Sequence, residues 1–191
     1  MPVSPYLTGQ LLLAMPGMTD PRFHKAVIFL CLHDGKGAMG LVINAPIPAL
    51  RFGPLMEQLD ILPEQSMAHA FRDRPVFNGG PVEPSRGFLL HDERYHGPDT
   101  IRIGDQFSIT GTTDGLKDIG ARGDALATRF ILGYAGWDAA QLEKELQENA
   151  WMTLPPTAGL VFDTDPAVQW ESAYAMLGID PAALSAASGH A

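Results

Sequence analysis

Cys31 and His33 are the residues best suited to chemistry: the only cysteine of the chain and an imidazole two positions on. On a regular strand they share a face, about 6.6 Å apart, twice the rise per residue. A thiol beside an imidazole can ionise to a thiolate–imidazolium pair, with Cys31 as nucleophile or redox centre and His33 as base or orienter. The competing reading makes Cys31 a small core hydrophobe. If Asp34–Gly37 is a four-residue turn, His33 faces Ala38 and Cys31 faces Gly40. The glycine would then leave a gap opposite the thiol.

Three further patterns could carry function. Gly35 to Gly40 matches G-x-G-x-x-G, with Asp60 twenty residues on. A dinucleotide site needs a helix after that loop, because the pyrophosphate sits on the helix N-terminus. Here the strand-like Leu41-Val-Ile-Asn44 follows, just before Pro46. A hairpin turn is the better reading, and no cofactor is expected. His91 and His96, with Asp92 and Glu93 between, have weak metal-ligand spacing, and no metal site is expected from them. Asn78-Gly79-Gly80-Pro81 could offer backbone N–H groups to an anion, but such a run more often makes a tight turn. There is no G-x-S-x-G, P-loop or H-E-x-x-H, and Trp137, Trp151 and Trp170 read as core.

The elements that must hold these residues are short. An apolar run at 10–15, closed by Pro16-Gly17, reads as a buried strand. Residues 25–33 alternate with both faces apolar, as in a strand covered on both sides. Residues 38–44 return beside it, and the prolines of Ala45-Pro46-Ile47-Pro48 forbid continuation. A helix is expected near 54–60, while 63–75 carries no strong signal. Strands are expected at 75–78, 87–91, 101–104, 107–111 and 128–134. Asp114 should cap a helix near 115–120. Asp138 and Gln141 have capping-box spacing before a helix at 139–150. Residues 152–157 read as loop and 159–162 as a short strand. Asp165 should cap a last helix whose Trp170, Ala173, Tyr174 and Leu177 form a core-facing stripe, stopped by Gly178. The tail from Pro181 should be a short helix that then frays.

With no repeat or linker, one domain is expected over 1–191. Turn-joined strands and about four helices predict an α+β fold, with a largely antiparallel or mixed sheet. Lys and Arg number 13 against 22 Asp and Glu, for a net charge of −9. That sign argues against direct contact with nucleic acid or anionic membranes. Arg122 and Arg129 sit among Asp118 and Asp124, so no basic stripe forms. One cysteine and no leader-like N-terminus make a reducing, cytoplasmic setting the default. No apolar run approaches a membrane span.

Several stretches together resemble the YqgE/AlgH family, long labelled uncharacterised. They are Leu7-Thr-Gly-Gln-Leu-Leu-Leu-Ala-Met-Pro, Cys31-Leu-His33, Gly37-Ala-Met-Gly-Leu-Val-Ile-Asn44, Asn78-Gly-Gly-Pro-Val82, Gly87-Phe-Leu-Leu-His91, Gly133-Tyr-Ala-Gly-Trp137, Gln141-Leu-Glu-Lys-Glu-Leu146, Asn149-Ala-Trp151 and Gly189-His-Ala191. Leu32 departs from the acidic residue of many relatives, and Asn78 from a common aromatic. The resemblance implies a single domain with a bent, barrel-like sheet and a bacterial cytosolic protein. It brings the label of transcriptional regulator but no enzymatic activity. The acidic chain, without a DNA-reading helix, opposes that label in its direct sense.

The expected function is therefore a non-enzymatic binding or regulatory protein acting through a protein partner or small ligand. Its site would draw on Cys31, His33, Gly40, Asn44, Asn78, Gly79, Gly80, Pro81 and His91. The alternative is a thiol enzyme or redox sensor using Cys31 with His33.

Overall fold

A computed structural model of the chain describes residues 5–122 and 126–187. Asp124 and the last four residues, including the Gly189-His-Ala191 piece, lie outside them. The described strands form one ten-stranded, curled sheet. Its main path runs β10 (Trp151–Leu154), β1 (Leu11–Ala14), β2 (Val27–Asp34), β3 (Gly37–Val42), β9 (Thr128–Asp138), β6 (Val82–Asp92), β8 (Phe107–Thr110) and β7 (Ile101–Ile103). β4 (Pro46–Arg51) pairs with β5 (Pro75–Asn78), which lies parallel to the first half of β9. All other pairs are antiparallel. The α+β class and the barrel-like sheet expected from the sequence are what the fold shows.

β9 organises the curl. Its first half lies between β5 and β6, and its second half turns to pair with β3. The bend falls at Gly133, whose φ of 74° suits glycine. β6 accommodates it with extra residues between Val82 and Gly87, a bulged register that bends the strand. Gly79 and Gly80 are pressed against this bend. A Cβ on Gly79 would stand 2.3 Å from the Gly133 carbonyl oxygen, and one on Gly80 2.3 Å from that of Tyr134. Backbone lies on backbone there, which is why two successive glycines are needed.

Three apolar layers follow. Inside the curl, Leu11, Leu13, Phe29, Leu41, Phe107 and Ile131 pack with α5 (Gln169–Met176). On the outer side of β1–β3, Leu12, Ile28, Leu30 and Trp137 meet Leu142 of α4 (Gln141–Gln147). On the outer side of β5, β6 and β9, Val76, Leu89 and Phe130 are covered by α1 (Phe52–Gln58), α2 (His69–Arg72) and α3 (Thr113–Arg122). Trp170, Ala173 and Tyr174 of the expected stripe are buried, and Leu177 packs beside them. The indole of Trp170 and the hydroxyl of Tyr174 both donate to the Ala14 carbonyl, at 2.8 and 3.0 Å. Among the described residues no helix is long and apolar enough to cross a membrane.

Some elements differ from expectation. The prolines after β3 end that strand, yet β4 starts at Pro46, because among the described residues it pairs with β5 alone and an edge tolerates missing donors. Residues 151–154 form β10 against β1 rather than loop. Residues Gly159–Asp163 form one π-helical turn, with Thr164 N–H donating to the Gly159 carbonyl. A short apolar run does not distinguish strand from turn by periodicity. Thr112, not Asp114, accepts the N–H of Gly115 at the start of α3. The capping-box half that forms is Asp138 N–H donating to Gln141 Oε1 at 2.9 Å. Asp165 accepts the Ala167 N–H, as expected.

Candidate functional site

The hairpin of β2 and β3 turns at Gly35-Lys36. His33 faces Ala38 and Leu32 faces Met39, but the next pair is Leu30 with Gly40. Cys31 is the unpaired residue of a β-bulge. Gly40 therefore does not face the thiol, and no gap lies opposite it. A Cβ on Gly40 would meet Ile28 Cγ2 at 2.5 Å and the Trp137 ring at 3.4 Å, so that space is filled.

The bulge also breaks the alternation that would have put Cys31 beside His33. Cys31 turns into the curl with Phe29, Leu41 and Phe88. His33 shares the opposite face with its partner Ala38, under α4. There its ring is fully engaged. The Leu7 N–H donates to Nδ1 at 3.0 Å, which puts the proton on Nε2 to donate to Glu143 Oε1 at 3.1 Å. The His33 backbone and the Thr8 hydroxyl exchange two further bonds, so His33 straps the first described residues to β2. The Cys31 thiol donates to the Phe29 carbonyl, and burial pushes its pKa up to about 12. A thiol so placed is almost wholly protonated at neutral pH, and no base stands beside it.

The other candidates are scattered. Asn44 ties the end of the hairpin to its start, accepting from the Val27 N–H and donating to the Lys25 carbonyl, both at 2.9 Å. In the Asn78–Pro81 run both glycine N–H groups are spent. Gly79 donates to the Leu132 carbonyl and Gly80 to Asn78 Oδ1. That is turn and strand-bridging geometry, with no N–H cradle for an anion. His96 is exposed, while His91, on β6 between β8 and β9, is fully buried. Its Nδ1–H donates to the Asp92 carbonyl at 2.7 Å, leaving Nε2 to accept from the Thr110 hydroxyl at 2.9 Å. Thr100 then donates to Thr110, and the Gly97 N–H to Thr100. In the neutral imidazole this leaves no ring nitrogen free. Among the described residues no group of three His, Cys, Asp or Glu could hold a metal.

What the fold does assemble around Cys31 is a mouth. The apolar interior runs out at the hairpin end of the curl into a cavity of about 320 Å³. Cys31, Phe88 and Ile109 belong to the core and line it, together with Met39. Leu32 and Ile101 flank it, 50% and 64% exposed, and Arg86 and Asp99 supply its charges.

Two other arrangements were not foreseen. Arg129, buried at the far end of β9, donates to the carbonyls of Ile43, Val161 and Thr164 at 2.7–3.0 Å. Glu145 of α4 accepts both the Trp137 and Trp151 indole N–H groups on Oε2 and Gln141 Nε2 on Oε1. A buried indole N–H needs an acceptor. The two core tryptophans thus signalled an acceptor nearby, though not which one.

The family model described as AlgH-like matches residues 11–182. The chain belongs to this family. The UPF0301 protein of Vibrio parahaemolyticus is 43% identical over 97% of this chain and 99% of its own length. That of a Jannaschia species is 48% identical over 97% and 95%. The solution structure of the AlgH protein from Pseudomonas aeruginosa is 39% identical, covers 100% of this chain and 99% of its own, and superposes with a TM-score of 0.77. A protein from Corynebacterium diphtheriae, 16% identical with a TM-score of 0.66 over 86% of this chain and 84% of its own, shares the fold alone. The family is an uncharacterised one, and these relatives bring no stated activity.

Proposed function

We propose that this AlgH-like chain is a binding or regulatory protein that holds an apolar group of a small ligand or protein partner at the mouth beside Cys31. One observation carries this reading. The barrel interior opens there between two strongly exposed aliphatic side chains, Leu32 and Ile101, with charge only on Arg86 and Asp99. A pocket of this size, apolar and continuous with the core, suits a small apolar group. At 50% and 64% exposure these side chains forgo roughly half of the about 1.5–3 kcal/mol that full burial gives, which a bound apolar group recovers in part. Regulation, if the label of the family is right, would pass through this contact rather than through DNA. The net charge of −9 disfavours a phosphate backbone. The thiol alternative has no support in the geometry, since His33 is bonded on the opposite face and the pKa of Cys31 is raised.

The test uses the neutral fluorescent probe N-phenyl-1-naphthylamine. The native chain should bind it with a fluorescence rise. Leu32→Asp and Ile101→Asp should each weaken binding at least about tenfold, the effect of losing about 1.4 kcal/mol. Unchanged affinity in both variants overturns the mouth as the site. In parallel, native Cys31 should resist iodoacetamide at neutral pH and react once the chain is unfolded. Rapid stoichiometric alkylation of the native chain would revive the thiol reading.

A further inference from the structure

A second cavity, of about 360 Å³, lies away from the mouth, between α4 and the Pro81 end of β6. Glu145 and Gln141 line it, with the rings of Phe23, Trp137 and Trp151. The rings interlock edge to face: Phe23 with Trp151 at 5.8 Å between centroids, Trp151 with Trp137 at 6.0 Å.

The chemistry turns on Glu145. Its three partners, two indoles and an amide, are neutral donors. Among the described residues it has no cation within ion-pair distance. Among the described residues the cation lining the cavity is Arg22, which is forked onto Asp20, with Nη2 2.7 Å from Oδ2, and has its guanidinium carbon 5.6 Å from the Phe23 ring centroid. The lining charges are thus Asp20, Arg22 and Glu145, a net of one negative. A carboxylate offers about four acceptor positions. Oε2 uses two of its own on the indoles, and Oε1 uses one on Gln141. One acceptor position on Oε1 remains, on an anion that has no ion-pair partner among the described residues. The indoles spend their N–H groups inward on the same carboxylate, so the cavity presents a negative acceptor among aromatic rings. That combination selects a cation bearing both N–H donors and alkyl carbons, which gains from the carboxylate and from the ring quadrupoles together. An anion would be repelled, and a neutral alcohol would gain only a weak bond.

We propose that this cavity binds an alkylammonium group, its N–H donating to Glu145 Oε1 and its carbons lying against Phe23 and Trp151. The group could belong to a free amine or to a lysine side chain of a partner.

The three indole N–H signals in a proton–nitrogen NMR spectrum read this directly. Trp137 and Trp151 donate to Glu145, while Trp170 donates to the Ala14 carbonyl and serves as the internal reference. Titration with n-butylamine, buffered at neutral pH, should shift the Trp137 and Trp151 signals saturably and leave Trp170 in place. n-Butanol should shift neither. Glu145→Gln, which keeps an oxygen for the indoles but removes the charge, should weaken butylamine binding about tenfold or more. A lysine flanked by capping acetyl and methylamide groups forms the second arm. Tighter binding than butylamine assigns the group to a protein partner; weaker binding assigns it to a free amine. The proposal is overturned if neither amine moves the two indole signals, or if butanol moves them equally. Butylamine affinity unchanged in Glu145→Gln also overturns it. The wild-type titrations stand whether or not that variant folds.

Discussion

His91 shows how a residue with catalytic credentials is turned to structure. The Asp92 carbonyl at one end of its hydrogen-bond chain puts the proton of the neutral ring on Nδ1, and Nε2 then accepts from Thr110. Burial lowers its pKa below the ordinary histidine value, the Asp92 contacts pull it back up, and the His96 charge lowers it again. The unfolded chain therefore takes up this proton at higher pH than the folded one. Above about 6.5 the two states agree and the full stability is present. As pH falls below that value toward the depressed folded pKa, the unfolded state binds more protons and stability is lost. Urea midpoints should thus drop between about pH 7.5 and pH 5. His91→Gln, whose amide oxygen can stand where Nε2 accepts, should drop less over the same range. Equal slopes in the two chains would remove His91 as the source.

At the scale of elements, the decisive feature is the close approach of the Gly79-Gly80 run to the bend of β9. Gly79→Ala would drive its Cβ into the Gly133 carbonyl, a backbone atom held by two strands. Gly40→Ala meets first a methyl of Ile28, which can shift. Both should destabilise, Gly40→Ala by about 1–3 kcal/mol as an overpacked core position does, and Gly79→Ala by more. Chemical denaturation of the two variants checks the order, and the reverse order would mean that the bend in β9 yields. The same elements mark what the sequence could disclose. The strand at 75–78 and the hairpin were legible as short apolar runs bounded by proline, glycine and turn residues, and the stripe from Trp170 by its helical spacing. The bulge at Cys31 was not, since a strand apolar on both faces reads alike in either register. That one residue decided whether Cys31 and His33 could meet. The mouth depends on β2, β3, β6, β7 and β8 converging, a long-range fact with no local signature. β10 and the turn at Gly159–Asp163 exchanged roles for a related reason: short apolar runs take the form their neighbours impose.

The whole molecule is a curl with the mouth at one end and, at the other, a cavity of about 470 Å³ lined by Arg129, Phe77 and Phe162. β3 runs between the two ends, with Met39 at the mouth and Ile43, just past its last residue, at the Arg129 end. There Arg129 crosses from β9 to the carbonyls of Ile43, Val161 and Thr164, with its guanidinium carbon 4.7 Å from the Phe77 ring centroid. Burial lowers its pKa to about 10, with Asp163 and Asp165 acting against the shift, so it remains charged at neutral pH. Arg129→Met keeps much of the volume but takes the charged donor from three carbonyls, leaving Val161 with only the long 3.4 Å bond from Gln169. Hydrogen bonds from a charged donor contribute about 1.5–3 kcal/mol each, so a loss of at least ~3 kcal/mol is expected. Arg129→Lys should recover only part of it, because an ammonium lacks the planar fork that spans the three acceptors. A variant within about 1 kcal/mol of the parent in urea would show that the carbonyls find other partners. The two ends should also separate by function. Arg129→Met should lower stability while the folded fraction binds N-phenyl-1-naphthylamine with parental affinity. Leu32→Asp should do the opposite, because Leu32 is half in water and contributes little to folding. If Arg129→Met instead weakened dye binding as much as Leu32→Asp does, the Arg129 end would be shaping the mouth. The mouth would then be a property of the whole curl rather than of its rim.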